Sequence, residues 1–484
     1  MKICLACAEA TPFAKTGGLG DAVAGLTRTL ARAGHDARLI LPFYGSIATQ
    51  DRGFEPVEFA QNVPIELGPH RYTFSLWTAP LPGPSGEGAA VYFVHCPPLY
   101  DRPGIYTDKA DEPIRFGLFS RAVLEACQRM GWAPDILHCN DWHTGLVPIY
   151  LRTHYAWDQL FAGTRTLLTI HNIGYQGVFG AQAIAELDLG PHRRLLAQED
   201  LAAGRLNFLR TGVLYADALS TVSPRHAQEI QTAEYGCGLE ELLRRRAGDL
   251  SGILNGVDEE WDPATDPLLP ANYSLEDLSG KAECKRTLLR ELKLPHHPAT
   301  AVLGIVSRLT KQKGIDLFFD VLPELLERRD VQLLVVGSGE RNYEAFFQRL
   351  QARHPHRVVS YAGYSNELAH RVEAGADMFL MPSLYEPCGL NQMYSQRYGT
   401  PPIVRATGGL ADSVEPWDWV HQTGTGFVFE HFTAQGLAWA IQSALDTFAN
   451  PDSWSALQRN GMQRDFSWDA QAGKYIALYQ RMLR

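Results

Sequence analysis

Along the first half of the chain, short apolar runs alternate with amphipathic stretches. The runs are Ile3 to Ala8, Ala37 to Leu41, Val91 to Cys96, Ile136 to Cys139, Thr166 to Ile170 and Ala218 to Val222. Near-continuous apolar runs of this length fit strands of a parallel sheet covered on both faces, and the stretches between them supply the covering helices. The same grammar restarts at Ala301 to Val306 and continues through Val331 to Val336, Val358 to Tyr361, Met378 to Met381 and Pro402 to Val404. The pattern predicts two doubly wound α/β domains. Their junction falls at Ser251-Gly-Ile-Leu-Asn-Gly-Val-Asp258, where turn residues precede the Pro- and Asp-rich stretch Asp262 to Pro270. The long connections around 51–90 and 173–200 read as surface excursions or lids. Open α/β sheets bind ligands at the carboxyl ends of their strands, so both halves are expected to contribute to one cleft.

A chain of 484 residues, 45% of them hydrophobic, is long enough to bury two cores. No apolar run reaches 18 residues, and Glu9 interrupts the first before a signal peptide forms, so a cytoplasmic protein without a membrane partner is expected. A net charge of −10 opposes binding to nucleic acid, and the longest basic run, Arg244-Arg245-Arg246, reads as a solvated helix end. Eight irregularly spaced cysteines form no disulfide framework; Cys4 and Cys7 match C-x-x-C but lie in an apolar strand, where they read as buried small side chains.

Three glycine-containing loops carry the candidate chemistry. Lys15-Thr-Gly17-Gly18-Leu-Gly20-Asp21 follows the first strand and opens a helix; its glycines and helix N-terminus admit a phosphate, with Lys15 adding charge. Taken alone, the same residues also describe a tight turn. Ser307-Arg308-Leu-Thr-Lys311-Gln-Lys313-Gly314 follows the first strand of the second domain and clusters three cations at a strand end, which suits a diphosphate leaving group. Pro382-Ser-Leu-Tyr-Glu386-Pro-Cys388-Gly389-Leu390-Asn391 leads from a strand into a helix. There Glu386 can accept from two sugar hydroxyls, and the N–H groups after Cys388 can meet hydroxyl or phosphate oxygens. A carboxylate complementing the helix dipole is the plainer alternative for Glu386. In the first half, His138-Cys-Asn140-Asp141-Trp-His143 and Thr169-Ile-His171-Asn-Ile-Gly-Tyr-Gln-Gly177 sit at successive strand ends. They lack the spacings of zinc sites, and the chain has no Asp-x-Asp pair of the kind that bridges a metal to a sugar nucleotide. No metal and no other cofactor is expected, and side-chain cations are left to neutralise the phosphates.

Together, K-T-G-G-L-G-D, Y-D-R-P-G-I-Y (Tyr100 to Tyr106), N-D-W-H-T, T-I-H-N-I-G-Y-Q-G, L-N-G-V-D, G-I-V-S-R-L-T-x-Q-K-G and S-L-Y-E-P-C-G-L resemble, in order, the bacterial glycogen synthase and plant starch synthase family. The resemblance implies a GT-B fold: a Rossmann-like acceptor-side domain at 1–250, a Rossmann-like donor-side domain at 251–465, and a helical segment at 466–484 crossing back to the first. It implies retaining transfer of glucose from ADP-glucose to the non-reducing end of an α-1,4-glucan such as glycogen. On the matching motifs, Lys15, Arg308 and Lys313 would hold the diphosphate, with Gly17 and Gly18 closing around it. Glu386 would bind the glucose and steady its developing positive charge; His171 and Asp141 would position the sugar. Asn255 would lie near the donor, and Tyr364, after Gly363, would pack on the adenine. Glu9 and Tyr100 would lie nearer the acceptor. Similar transferases have no well-placed nucleophile, which favours a front-face mechanism over the paired-carboxylate route of retaining hydrolases.

This chain departs from the family pattern twice. Asn140 stands where many bacterial members have a histidine, and the E-x7-E pattern of related transferases ends in Tyr394, which argues against a second catalytic carboxylate there. A transferase using UDP-glucose or a small acceptor is the nearest rival reading; a non-catalytic glucan-binding protein is the rival from another class.

Overall fold

In a computed structural model describing residues 1–49, 52–83 and 88–484, the chain forms two compact units. One comprises Met1–Val222, Ala227–Gly256 and Trp468–Arg484; the other comprises Ser223–His226 and Val257–Ser467.

The first unit is built on a ten-stranded sheet. Its strands are β1 (Lys2–Ala6), β2 (Asp36–Pro42), β3 (Glu55–Pro56), β4 (Val63–Leu67), β5 (His70–Pro80), β6 (Ala90–His95), β7 (Ile136–Asn140), β8 (Arg165–Ile170), β11 (Ala218–Thr221) and β12 (Leu250–Gly252). A separate hairpin pairs β9 (Val178–Gly180) with β10 (Arg205–Asn207). The main order is β12-β11-β8-β7-β1-β2-β6-β5-β3, with β4 on β5, and the strands from β12 to β6 run parallel. β5 pairs antiparallel with β6, β3 and β4, so the region read as a surface excursion is largely an extension of the sheet. The physical reason lies in its alternation: Val63, Ile65 and Leu67 are buried while Pro64 and Glu66 are exposed, the signature of a sheet with one wet face. Part of the predicted excursion, residues 51 and 84–87, lies outside the described residues. The 173–200 stretch also departs from a simple lid, because Ile184, Leu187 and Leu189 enter the core.

The second unit contains an all-parallel six-stranded sheet of β13 (Ala301–Val306), β14 (Val331–Gly337), β15 (Val358–Ala362), β16 (Met378–Met381), β17 (Pro402–Arg405) and β18 (Phe427–Phe429), in the order β15-β14-β13-β16-β17-β18. The interior of β14 is buried throughout, as its unbroken apolar run predicts. β12 and β18 are three-residue edge strands too short to stand out from their flanks in sequence.

The helix Trp468–Met482 belongs to the first unit, burying Trp468, Ala472, Tyr475, Leu478 and Tyr479 in its core. Its polar anchor is His138 of β7. Nδ1 lies 2.8 Å from the Tyr479 hydroxyl and Nε2 lies 2.6 Å from Thr169 Oγ1, which is itself 2.6 Å from Ser220 Oγ. The chain of hydrogen bonds thus runs from the C-terminal helix across β7, β8 and β11. Cys4 and Cys7 are buried free thiols, in keeping with their apolar surroundings, and Cys7 Sγ accepts from Glu9 N at 3.4 Å. Arg246 is more than a solvated helix end, since it donates to the carbonyls of Val213 at 2.6 Å and Ala216 at 2.9 Å.

Burial holds His138 neutral, with its pKa pushed down to about 3. The unfolded chain binds a proton there below about pH 6.5 and the folded chain does not, so stability falls as pH drops from about 6.5 towards 3. Urea denaturation at about pH 7 and about pH 5 is expected to reveal a loss of roughly 2 kcal/mol from this residue, and His138→Gln to flatten the dependence by that amount.

Candidate active site

Strand order reverses beside the central strand of each sheet, with β1 between β2 and β7 and β13 between β14 and β16. The loops leaving β1 and β7, and those leaving β13 and β16, therefore diverge and open a crevice at the strand carboxyl ends. All the candidate loops leave these strands or neighbouring ones.

In the second unit the two diagnostic loops interlock. Gly314 has φ +72, and a Cβ there would stand 1.9 Å from the Pro382 carbonyl oxygen, so only glycine lets the β13 loop lie against the β16 loop. Leu384 N donates to Gln312 O at 2.8 Å and Asn391 Nδ2 to Val306 O at 2.7 Å. The same restriction recurs at Gly408, with φ +43, where a Cβ would meet the Glu386 carbonyl oxygen at 2.0 Å. This frame brings Lys313 Nζ to 2.6 Å from Glu386 Oε2, which also accepts from Ser383 Oγ at 3.0 Å. Glu386 is buried and Lys313 half-buried. Arg308 is exposed and has no ion-pair partner among the described residues. Cys388 is buried, Gly389 has φ +72, and Leu390 precedes the short helix Asn391–Arg397.

In the first unit, Glu9 organises the glycine-rich turn. Its carboxylate accepts from Thr16 N at 2.6 Å, Thr16 Oγ1 at 2.7 Å and Gly17 N at 3.3 Å, and from the Tyr106 hydroxyl. The Gly17 N–H assigned by sequence to a phosphate is thus engaged by a buried carboxylate. Gly18 begins the helix Gly18–Arg32, and Lys15 pairs with Asp21 at 2.7 Å, so its charge is shared before any ligand arrives.

Asp141 and His171 meet across neighbouring strands. Asp141 Oδ1 accepts from His171 N at 2.7 Å and Asn172 N at 3.4 Å, while Asp141 N donates to Thr169 O at 2.9 Å. Asp141 has φ +57, a conformation that costs a non-glycine residue energy and tends to be kept at functional sites. Burial raises its carboxyl pKa to about 7 against the opposing pull of the two backbone N–H groups. His171 Nε2 lies 2.9 Å from Asn140 Oδ1, and burial pushes the imidazole pKa down to about 3.

Tyr100 requires a correction. It is fully buried and its hydroxyl donates to Arg115 O at 2.7 Å, so it supports the fold and offers nothing to an acceptor. Arg115, also fully buried, pairs with Glu112 at 2.6 Å and donates to the carbonyls of Leu99 at 2.9 Å and Ile105 at 3.0 Å. That brace presents Tyr106, the other tyrosine of the motif, at the surface against Glu9 and stacked on His143 at 4.9 Å. Repetition of tyrosine in one motif was the available signal, but sequence alone did not say which one is exposed. Asn255 is buried just before the end of its segment of the first unit. In the second unit Gly363 has φ +147, Tyr364 is 69% exposed, and its hydroxyl donates to Asn366 Oδ1 at 3.0 Å. Tyr394 is buried, its ring parallel to Trp261 at 4.0 Å. Among the described residues no group of three or more His, Cys, Asp or Glu side chains is placed to hold a metal, and no helix is long and apolar enough to cross a membrane.

Residues 2–245 match the starch synthase catalytic domain family and residues 292–460 match glycosyl transferases group 1. Glycogen synthase from Anaeromyxobacter dehalogenans is 46% identical, over 100% of this chain and 99% of that protein. Glycogen synthase from Koribacter versatilis is 43% identical, over 99% and 98%. The catalytic domain of starch synthase IV from Arabidopsis thaliana, solved with ADP and acarbose, superimposes with a TM-score of 0.91 at 34% identity, covering 100% of this chain and 99% of that one. Sucrose-phosphate synthase from Thermosynechococcus elongatus shares the fold at 19% identity and a TM-score of 0.61, covering 99% of this chain and 98% of that one. Two Rossmann-like units with these relatives define a GT-B glycosyltransferase. More narrowly, the chain belongs to the glycogen synthase and starch synthase family and is a glucosyltransferase.

The two tyrosines separate experimentally. Tyr100→Phe is expected to cost about 1 kcal/mol of stability through its lost buried hydrogen bond, with turnover unchanged. Tyr106→Phe should lower kcat/KM, because it removes one of the donors that fix the Glu9 carboxylate. Denaturation and steady-state kinetics on both variants check the distinction.

Proposed function

We propose that the protein transfers glucose from ADP-glucose to the non-reducing end of an α-1,4-glucan, with retention of configuration and release of ADP. The observation that carries this reading is the Lys313–Glu386 pair at the switch point of the second sheet, with Arg308 on the same loop as Lys313. A carboxylate beside phosphate-binding cations is what a departing diphosphate and a positively charged sugar require together. The ADP and acarbose bound by the Arabidopsis relative support a nucleotide donor and a glucan-like acceptor.

Arg308 and Lys313 neutralise the diphosphate as the glycosidic bond to phosphate breaks. Lys15 and the Gly17–Gly18 backbone are further donor-binding candidates, and Asn255 is assigned near the donor. Tyr364, freed of a side chain before it by Gly363, offers its ring to the adenine. Asp141 and His171 position the glucose, and the N–H groups following Cys388, at Gly389 and Leu390, meet its hydroxyls or the phosphate. Glu9 borders the acceptor through its hold on Tyr106. The Glu386 carboxylate is held by Lys313 and Ser383, which suits it to stabilising an oxocarbenium-like sugar electrostatically rather than attacking it. The leaving phosphate then takes the proton of the acceptor 4-hydroxyl as the acceptor 4-oxygen bonds to the anomeric carbon on the same face.

Charge neutralisation of the leaving group predicts that Lys313→Ala lowers kcat by roughly two orders of magnitude, as expected for loss of an oxyanion donor. Saturating-donor kinetics check this, and unchanged turnover would remove the role. Coupled measurement of ADP release should show glycogen-dependent turnover with ADP-glucose and much less with UDP-glucose; glucan binding without ADP release would mean a binding protein instead.

A further inference from the structure

Asn140 ends β7 and is buried beside the site. Its Nδ2 donates to Ala6 O at 3.2 Å and His138 O at 3.3 Å. Both partners are carbonyl oxygens and can only accept, so the atom facing them is the amide nitrogen and the opposite atom is the oxygen. That oxygen lies 2.9 Å from His171 Nε2. An amide oxygen carries no hydrogen, hence Nε2 must supply one.

Burial keeps the imidazole neutral, with its pKa pushed down to about 3. A neutral imidazole has a single N–H, so the hydrogen on Nε2 leaves Nδ1 with a bare lone pair. Nδ1 has no hydrogen-bond partner among the described residues. The ring is also fixed at its backbone, whose N–H donates to Asp141 Oδ1 at 2.7 Å. Among the titratable groups around it, Asp141 has a carboxyl pKa raised to about 7 by burial, but that carboxylate faces the His171 backbone N–H and not the ring. Burial depresses the pKa values of His138 and His143, and Asp141 engages the backbone. Glu9 is committed to Thr16, Gly17 and Tyr106, and the Cys7 thiol is held protonated by burial.

We propose that Asn140 is a positioning residue that fixes the Nε2–H tautomer of His171, making Nδ1 a hydrogen-bond acceptor for a hydroxyl of the transferred sugar. The sugar contact rests on the assignment of His171 to glucose positioning; the tautomer rests on the hydrogen-bond geometry together with the neutrality that burial imposes on the ring. A histidine at position 140 could donate or accept, and would leave the proton on His171 dependent on its own tautomer. Asparagine allows one arrangement, and it persists wherever His171 stays neutral.

Nitrogen–proton NMR of the full-length protein labelled in histidine tests this, with His171→Gln identifying the signal. The wild-type ring is expected to show the Nε2–H pattern, unchanged from about pH 8 to about pH 6. Asn140→Leu should give mixed tautomers and a kcat about tenfold lower, the scale of one lost hydrogen bond. Asn140→Asp keeps an accepting oxygen and should restore the Nε2–H pattern at about pH 8, but it loses both donations to Ala6 O and His138 O and places an anion beside the ring, so the ring should gain a proton more readily than in the wild type as pH falls. An Nδ1–H pattern or a titrating ring in the wild type would overturn the proposal, as would an Asn140→Leu variant with the wild-type pattern. If Asn140→Leu fails to fold, the wild-type and Asn140→Asp spectra decide. Wild-type turnover by His171→Gln would remove the sugar contact and the positioning role of His171, while the spectrum would still decide the tautomer separately.

Discussion

Parallel pairing on both sides of a central strand is the constraint from which the rest follows. Because β2 and β7 flank β1, and β14 and β16 flank β13, successive loops at the carboxyl ends must part in opposite directions. The backbone there has left the sheet and needs new partners, which the structure supplies through the Glu9 carboxylate in one unit and through loop-to-loop hydrogen bonds in the other. Functional groups are therefore presented by segments that the fold already has to hold rigid.

Holding them rigid means burying charge, which costs stability unless each charge is paired or hydrogen-bonded. Arg115 is fully buried, yet it has a carboxylate and two carbonyls; the result is a fixed segment from Leu99 to Tyr106. Lys313 and Glu386 compensate one another in the same way, but are less completely enclosed. Asp141 shows the opposite balance: two backbone donors do not offset its burial, and its carboxyl is left with a raised pKa. These contrasts distinguish fully compensated polar groups from those whose burial is only partly offset.

Continuous apolar runs made most parallel strands legible, and β13, β14 and β16 lie almost where those runs begin and end. The alternating strands β4 and β5 are not legible as continuous apolar runs, because only one of their faces is buried. Among site residues, the Lys313 and Glu386 motifs stood out through charge beside glycine at strand ends. Tyr106 and Asn140 did not, since their importance lies in what faces them: Glu9 is 97 residues from Tyr106, and His171 is 31 from Asn140.

The amino-acid order by itself determined which segments could be buried on both faces, where glycine frees a turn, and which ionisable groups stand at strand ends, because these depend on local pattern and chemistry. Tertiary structure decided which tyrosine of one motif is buried, which N–H groups a carboxylate has already engaged, and which nitrogen of His171 carries its proton. Each of those outcomes is set by atoms brought together from distant parts of the chain, and hydrogen bonding acts over distances too short for sequence spacing to specify.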